Sequence, residues 1–280
     1  MTTTLTITGS TGELGGRVAR ALAGDGLPQR LLVRDASRAP DLPGADVRVA
    51  GYADHDAAVD ALRGTDVLFM VSAGESANRV EQHRCFIDAA VRANVRQVVY
   101  TSFAAAAPDS TFTLGRDHWA TEEILRESGL AFTLLRDSFY LDMFELFAGQ
   151  DRVIRGPAGD GRVAAVARAD VARVAVDVLT DPVAHHNITY TLTGPQALSL
   201  AEIAATLTEV RGEPYRYEDE TVAEAHASRS SYGAPDWQVE AWVSTYTSIA
   251  SGVLAPVTDD VERVTGTAPI TLETLLRTDA

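Results

Sequence analysis

The stretch that decides the fold of this chain is Leu5 to Gly15, LTITGSTGELG. Four β-prone residues run directly into a glycine-rich turn, and residues 17–22 continue with apolar side chains at helical spacing. A strand, a turn and a helix in this order are typical of the opening of a dinucleotide-binding βαβ unit, although the spacing is G-x-x-G-x-x-G rather than G-x-G-x-x-G. An ordinary glycine-rich loop between a strand and a helix is the alternative.

The glycine-rich turn is suited to binding a pyrophosphate. Glycine lets the backbone bend tightly and approach the ligand, and the helix N-terminus supplies free N–H groups and a partial positive charge. A glycine at position 15 lets the helix lie close to the sheet. We therefore predict that the cofactor contacts the whole turn, which consists of Gly9, Ser10, Thr11, Gly12, Glu13, Leu14 and Gly15.

The rest of the first half alternates between strand and helix patterns. Apolar runs predict further strands, and apolar side chains at helical spacing predict the helices that separate them. The strands are expected at 29–33, 46–50, 66–72, 96–102 and 131–136, and the helices at 56–62, 79–93 and 117–125. This alternation predicts an α/β fold, with a Rossmann-type, mostly parallel sheet, helices on both faces and ligands beyond the carboxyl ends of the strands.

The pattern changes after residue 137, where aromatic side chains become frequent. A helix over 139–147 is expected to leave the carboxyl edge of the sixth strand and to wall a flat apolar pocket. We predict two domains. One is an NAD(P)-binding Rossmann domain over 1–148, to which a strand near 187–193 returns. The other is a smaller, mainly helical substrate-binding lobe over 149–280, in which Ser199 caps a helix.

Composition limits the partners that this chain can take. The net charge is −15, which leaves little cationic surface for nucleic acid, and no apolar run is long enough to span a membrane. We expect a cytoplasmic protein without a metal site, for which a homodimer is one of the open assembly states. All 24 basic residues are arginine, so every mechanism that requires a lysine is excluded. The single cysteine, Cys85, cannot form an internal disulfide.

The end of the second strand bears on the choice of cofactor. An acidic residue there binds the adenosine ribose of NAD, whereas an arginine suits the 2′-phosphate of NADP. Arg34 and Arg38 favour NADP(H), while Asp35 keeps NAD(H) possible. Residues at the ends of the fourth and fifth strands are also expected to contact the cofactor, namely Val71, Ser72, Ala73, Thr101 and Ser102.

Motifs spread over nearly the whole chain carry a family resemblance. They are Thr8–Gly15, Val33-Arg34, Gln82-His83-Arg84 with Ala89-Ala90, Tyr100-Thr101-Ser102, His118–Arg136, Tyr190–Pro195 and Val257–Val261. In order and spacing the chain resembles the NmrA-like branch of the atypical short-chain dehydrogenases/reductases. Within that branch it is most similar to the bacterial NAD(P)H-dependent quinone oxidoreductases.

The resemblance also implies a departure in catalytic residues. The wider family uses a Tyr-x-x-x-Lys pair on the helix after the fifth strand, and aligning Glu122 with the acidic residue that follows the lysine places Leu114 and His118 at these positions. Both members of the pair are absent, as in the quinone-reducing branch. His118 is then the candidate proton donor, with a helix-surface residue bonded to Glu122 as the alternative.

The resulting prediction is an NAD(P)H-dependent oxidoreductase that transfers a hydride directly to a quinone or a related flat aromatic. Two alternatives remain: a tailoring reductase or anthrone-type oxygenase that acts on polycyclic aromatic polyketides, and a regulator that senses NADP(H) without turnover. The substrate is expected to contact seven side chains at the carboxyl edge of the sheet. These are Phe103, His118, Trp119, Ser138, Phe139, Tyr140 and Phe144.

Overall fold

A computed structural model describes residues 3–278, so the outer ends of both predicted domains lie outside the described residues. Eleven strands occur in the described part of the chain. They are β1 (Leu5–Thr8), β2 (Gln29–Val33), β3 (Ala45–Val49), β4 (Val67–Met70), β5 (Gln97–Phe103), β6 (Ala131–Asp137), β7 (Val153–Gly156), β8 (Arg162–Val163), β9 (Ile188–Leu192), β10 (Leu198–Ser199) and β11 (Arg216–Asp219).

Seven of these strands form one sheet in the order β3-β2-β1-β4-β5-β6-β9. The pairs from β3 to β5 are parallel, with Thr8 opposite Leu32 and Met70 opposite Tyr100 at the carboxyl ends. The backbone nitrogen of Ala131 donates to Arg96 O at the starts of β6 and β5, and Ala104 N donates to Asp137 O at their ends, so these two strands are parallel as well. The sheet confirms the predicted α/β, Rossmann-type class, and its order reverses between β1 and β4, where such folds bind dinucleotides.

Helices alternate with the strands of the large sheet and then dominate the rest of the described chain. They are α1 (Glu13–Gly24), α2 (His55–Leu62), α3 (Arg79–Arg92), α4 (Thr113–Glu127), α5 (Phe144–Phe147), α6 (Arg168–Thr180), α7 (Leu200–Arg211), α8 (Val222–Ser230), α9 (Asp236–Ala250), α10 (Asp260–Thr265) and α11 (Leu272–Thr278). Ser199 begins α7 with a capping box, because its hydroxyl accepts from Glu202 N while the Glu202 carboxylate accepts from Ser199 N. This cap confirms the prediction for Ser199.

Two compact units make up the fold, and each is assembled from separated segments rather than from one continuous stretch. The first contains the chain up to Ser102 together with Asp117–Arg136 and Val171–Tyr190. The second contains Phe103–Arg116, Asp137–Asp170 and the chain from Thr191 onward. Among the described residues, no helix is long and apolar enough to cross a membrane.

Each unit has an apolar core of its own. In the first unit, strand residues such as Leu68 and Tyr100 pack with Phe86 of α3. In the second unit, Phe144 packs with Ile203 of α7 and with side chains of α9 and α11. Burial of such side chains stabilises each unit by about 1.5–3 kcal/mol per large apolar residue.

The segment 139–147 differs from the continuous helix expected there. It forms a short 3₁₀ turn at Leu141–Met143 followed by the single turn of α5. Tyr140 bridges to Val166 instead, and Leu141 N donates to Val166 O. The chain therefore leaves β6 in an extended conformation, because tertiary pairing overrides the local helical spacing of the aromatic residues.

Candidate functional site

The turn after β1 has the geometry that its glycines require. Gly9 adopts a φ of +67°, a left-handed conformation that favours glycine, and Gly12 N donates to Gly9 O over 2.9 Å. A Cβ at Gly15 would lie 2.4 Å from Gly9 O and 2.6 Å from Thr8 O. Since both atoms belong to the backbone, only glycine lets α1 start this close to the strand.

A cavity of about 360 Å³ opens at the carboxyl ends of β1, β2 and β4. Six of the predicted cofactor contacts line this cavity, two from the turn and four from elsewhere in the chain. The lining consists of Thr8, Gly9, Thr11, Leu32, Val33, Arg34, Ala50, Tyr52, Val71, Ser72, Ala73, Gly74, Glu75, Ser76 and Gln82. The cavity therefore contains Gly9, Thr11, Arg34 and the predicted residues 71–73, but neither Arg38 nor the pair Thr101 and Ser102.

The residues present fit an adenine dinucleotide with a phosphorylated ribose. Ser10 Oγ is buried and has no hydrogen-bond partner in the described structure, as expected of a hydroxyl that binds a ligand oxygen. Gly12 caps α1 without a side-chain bond, which leaves the helix N-terminus available to a phosphate. Glu13 is exposed and pairs loosely with Arg17, whereas Leu14 is buried.

Asp35 is tied into the backbone beside the cavity. Its Oδ1 accepts from Ser37 N over 2.9 Å and from Ser37 Oγ over 2.7 Å, and it caps the 3₁₀ turn Ala36–Arg38. The two bonds from Ser37 lower the pKa of the Asp35 carboxyl. Asp35 does not line the cavity, whereas Arg34 does.

Tyr52 joins the ends of β1 and β4 at the cavity wall. Its hydroxyl lies 2.7 Å from Thr8 Oγ1 and donates to Val71 O over 2.6 Å. Its ring stacks on Phe86 with a centroid separation of 4.2 Å. Burial raises the pKa of the Tyr52 hydroxyl, so this residue is a neutral structural element of the wall.

Buried side chains form hydrogen bonds with the backbone of the loop after β4, which lines the cavity. Ser72 N donates to Thr101 Oγ1 over 2.8 Å, and Ala73 N donates to His83 Nε2 over 2.9 Å. Arg79 Nε donates to Ala73 O over 2.9 Å. Thr101 therefore acts on the cavity through the loop backbone and does not line the cavity.

His118 lies in the same buried cluster. Its Nε2 is 3.1 Å from Arg79 Nη2 and its Nδ1 is 3.1 Å from the Tyr100 hydroxyl. Arg79 can only donate, so the proton of the neutral ring sits on Nδ1 and is directed at Tyr100. Burial, and then the charge of Arg79, hold the pKa of His118 well below its usual value. The burial of His118 contradicts the helix-surface alternative, and its role as a proton donor stays a prediction.

Ser102 and Glu122 form a second buried cluster. Ser102 Oγ donates to Glu122 Oε1 over 2.5 Å, and Arg136 donates to both carboxylate oxygens over 2.7 and 2.6 Å. Arg126 adds a bond of 2.9 Å. The Glu122 side chain is fully buried, so these bonds offset the cost of removing its charge from water.

Two of the predicted substrate residues, Phe103 and Phe139, meet Phe112 in the second unit. The ring centroids of Phe103, Phe112 and Phe139 are 4.8 to 5.2 Å apart. Trp119 belongs to the first unit, where Arg126 lies 5.5 Å from its ring centroid, and it takes no part in this cluster. Phe144 is almost fully buried and contacts Phe147, so it belongs to the core.

The remaining predicted substrate residues follow β6. Tyr140 donates a very short hydrogen bond to Asp137 Oδ2, and Arg168 lies 4.6 Å from the Tyr140 ring centroid. Ser138 Oγ is buried and has no hydrogen-bond partner in the described structure. Burial raises the pKa of Asp137 to about 7.

Sequence reasoning overlooked Arg79, Gln82 and Asp137 as parts of the site. Gln82 and His83 stand in a motif that carries the family resemblance, which was a signal for the loop contacts. Asp137 stands directly after an apolar strand, where an acidic side chain at a carboxyl edge is itself a signal. Within residues 3–278, no three His, Cys, Asp or Glu side chains come together in a way that could hold a metal ion.

Comparison with known proteins agrees with this geometry. The protein family described as NAD(P)H-binding matches residues 9–182. An NAD(P)H azoreductase of Xenophilus azovorans is 35% identical over 266 residues, which cover 93% of this chain and 92% of the azoreductase.

Two solved structures share the whole architecture. The NADPH complex of an NADPH-dependent quinone oxidoreductase from Escherichia coli superposes with a TM-score of 0.90 at 32% identity, covering 98% of this chain and 99% of that chain. The NADP(H) complex of a triphenylmethane reductase from Citrobacter sp. gives a TM-score of 0.86 at 28% identity, covering 98% and 99%.

Proposed function

Because the chain belongs to the NAD(P)H-binding family and is an NmrA-like, NAD(P)H-dependent oxidoreductase, we propose that it uses NADPH to reduce a quinone or a related flat, conjugated acceptor. The proposal rests on which residues occupy the two positions where the wider family has its Tyr-x-x-x-Lys pair. Leu114 packs beside the phenylalanine cluster, and His118 is buried with Arg79. A substrate that needs a strong acid at these positions is therefore disfavoured.

A quinone depends less than a simple ketone on a strong acid at these positions. The bound cofactor supplies a hydride, and a quinone that accepts it becomes a stabilised phenolate. Catalysis can then come mainly from holding the two partners close together. Phe139 is the half-buried ring of the cluster with Phe103 and Phe112, and its apolar face suits a flat aromatic acceptor.

The preference for NADPH rests on Arg34 and Asp35. Arg34 lines the cavity beside the end of β2, where the adenosine ribose binds in this fold. The two bonds from Ser37 hold Asp35 Oδ1 on its own backbone, and Asp35 does not line the cavity. A 2′-phosphate thus finds the cation of Arg34 at this position.

We assign His118 a positioning role. It receives a hydrogen bond from Arg79, which in turn holds the carbonyl of Ala73 in the cavity loop. The proton on its Nδ1 is directed at Tyr100 rather than at solvent. His118 thereby fixes the loop against which the cofactor rests.

The test is steady-state turnover of NADPH with three acceptors: a benzoquinone, an azo dye and a simple ketone such as cyclohexanone. We expect kcat/KM for the quinone to exceed that for the ketone by at least about 100-fold, because a reduced ketone is an unstabilised alkoxide and depends far more on acid catalysis, which contributes roughly 100-fold or more. Turnover of the ketone at the same rate as the quinone, or no turnover of any acceptor, would contradict the proposal.

Two variants test whether the phenylalanine cluster binds the acceptor. One changes Phe139, which follows β6, and the other changes Phe132 within β6. Phe139→Leu removes a ring of the cluster and is expected to raise KM for the quinone while leaving KM for NADPH unchanged. Phe132→Leu is the matched control, because Phe132 packs partly buried in the core of the first unit. If both variants change quinone kinetics equally, the phenylalanine cluster does not bind the acceptor.

A further inference from the structure

The last residue of β6 is a buried acid with one close partner. Asp137 is 5% exposed, and its backbone carbonyl accepts from Ala104 N, so it lies at the carboxyl edge of the sheet. The Tyr140 hydroxyl donates to Asp137 Oδ2. Tyr140 keeps part of its surface exposed, and it is therefore the member of the pair that a ligand can reach.

Charged groups around the pair come from two further elements. The Arg168 guanidinium at the start of α6 lies over the Tyr140 ring, and its Nη2 contacts Met143 Sδ. Asp142 in the 3₁₀ turn accepts from Arg168 N over 2.9 Å. Arg168 thus faces the pair as a cation, whereas the Asp142 carboxylate is bound to backbone.

Between the acid and the tyrosine stand two residues that point to a ligand. Ser138 Oγ is buried without a hydrogen-bond partner in the described structure, and Phe139 belongs to the phenylalanine cluster. One tetrapeptide, 137–140, therefore brings together an acid, an unsatisfied hydroxyl, an aromatic face and a phenol. Unsatisfied buried hydroxyls are uncommon in folded proteins unless a ligand or a water completes them.

We propose that Tyr140 delivers the proton that completes reduction of the acceptor and that Asp137 resupplies this proton. The inference rests on the proposed function, because it concerns the second half of the same reaction. Tyr140 is the residue that touches the acceptor oxygen, and Asp137 acts through Tyr140. The pair donates the proton that the Leu114 and His118 positions cannot donate, because neither position carries an exposed acid.

The step balances in atoms and electrons. The acceptor gains a hydride, whose electron pair forms one new bond and leaves an anionic oxygen. The Tyr140 O–H turns from Asp137 to the acceptor oxygen, and it breaks as an O–H bond forms on that oxygen. The carboxylic proton of Asp137 then moves to Tyr140 Oη. Asp137 then takes one proton from water, and the net change is one hydride and one proton added to the acceptor while NADPH is oxidised to NADP⁺.

The electrostatics agree with this direction of transfer. Burial raises the pKa of Asp137 to about 7, so a large share of the carboxyl groups carry a proton near neutral pH. Burial, and then the neighbouring Asp137, raise the pKa of Tyr140, so the phenol stays protonated between turnovers. The pair therefore holds the required proton.

A chemical contrast between two acceptors provides the test. A quinone needs a hydride and a proton, whereas a triarylmethane cation such as malachite green becomes neutral by accepting a hydride alone. For Asp137→Asn, we expect the ratio of the quinone rate to the dye rate to fall by roughly 100-fold, within the usual range of general acid catalysis. Tyr140→Phe is expected to lower the same ratio.

The matched control is Asp142→Asn, which makes the same chemical change five residues away and is expected to keep this ratio within about twofold of wild type. The quinone rate of wild type should fall as pH rises through about 7, because the acid form is lost, and the fall should be absent from Asp137→Asn. This pH profile decides the matter if the dye is not turned over.

The outcomes separate this inference from the proposed function. If wild type reduces no quinone, the proposed function itself fails. If wild type reduces quinone but Asp137→Asn lowers the quinone and dye rates equally and keeps the wild-type pH profile, the pair is structural and the inference is overturned.

Discussion

The imidazole Nε2 of His83 lies 2.9 Å from the backbone nitrogen of Ala73 and accepts its hydrogen bond. The proton of the ring must then sit on Nδ1, which lies 2.8 Å from Thr121 Oγ1. Thr121 in turn donates to Asp117 O within α4. A neutral histidine in one tautomer thus connects the cavity loop to a helix, and protonation would replace an acceptor with a donor.

The free energy of unfolding should fall at acidic pH because of His83. Burial, and then Arg79, lower the pKa of His83 to about 3, whereas an unfolded histidine titrates near 6.5. Below pH 6.5 the unfolded state binds the extra proton, so stability falls as pH falls. The expected loss attributable to His83 is about 2 kcal/mol between pH 7.5 and 5, measured as the difference in urea unfolding between wild type and His83→Gln.

His55 provides a control of opposite sign. Hydrogen bonds from the ring of the partly exposed His55 to the carboxylates of Asp56 and then Asp88 raise its pKa, so its contribution is present at low pH and is lost as pH rises. His55→Gln should therefore make the protein more sensitive to acid, whereas His83→Gln should make it less sensitive. The same slope in both variants would contradict the assigned states.

Replacing Arg34 should change cofactor preference. In Arg34→Asp, the 2′-phosphate of NADPH meets a carboxylate instead of a guanidinium, and kcat/KM for NADPH should fall roughly 10- to 100-fold, as expected for a charged hydrogen bond of about 1.5–3 kcal/mol. The value for NADH should fall less or rise. Arg38→Asp is the control, since Arg38 does not line the cavity. Equal losses in both variants would remove the special role of Arg34.

The close approach at Gly15 should tolerate no side chain. Gly15→Ala places a Cβ 2.4 Å from a backbone oxygen, and the expected loss is about 1–3 kcal/mol of unfolding free energy together with weaker NADPH binding in calorimetry. Gly24→Ala lies on the same helix with no atom within 4 Å and should stabilise by about 0.5–1 kcal/mol. A stable Gly15→Ala protein with normal affinity would show that the turn can shift.

Removal of the Glu122 charge should strongly lower the free energy of unfolding. Glu122→Gln leaves Arg136 and Arg126 without their buried anion, and we expect a loss of about 3–5 kcal/mol in chemical denaturation. Glu123→Gln is the adjacent control, because its pair with Arg126 is largely exposed and contributes at most about 1 kcal/mol. Comparable losses at both positions would contradict the role of burial.

Local patterns sufficed for much of this fold. The strand Leu5–Thr8 and the glycine turn were predictable because alternation and spacing carry their signal within a few residues. The short strand Arg216–Asp219 gave no comparable signal, because it is ordered by pairing with residues 153–156, far away in sequence. The extended start of 139–147 was missed for the same reason.

The candidate site was predictable as a region but not in its contacts. Sequence position placed Thr101 and Ser102 at the correct sheet edge, but not the partners that turn their hydroxyls toward Ser72 N and Glu122. Burial of His118 depends on Arg79, which comes from another helix 39 residues away. Such side-chain orientations follow from three-dimensional neighbours, and no single-sequence rule supplies them.

The small turn after β2 has an evolutionary consequence. Ser37 does not line the cavity, yet its hydroxyl and amide keep Asp35 folded back on its own backbone. A descendant that lost this hydroxyl would release an acidic group next to the nucleotide while every wall residue stayed the same. Substitution of Ser37 can therefore change the preference of the enzyme between NADPH and NADH, although a comparison of cavity-lining residues alone would not detect it.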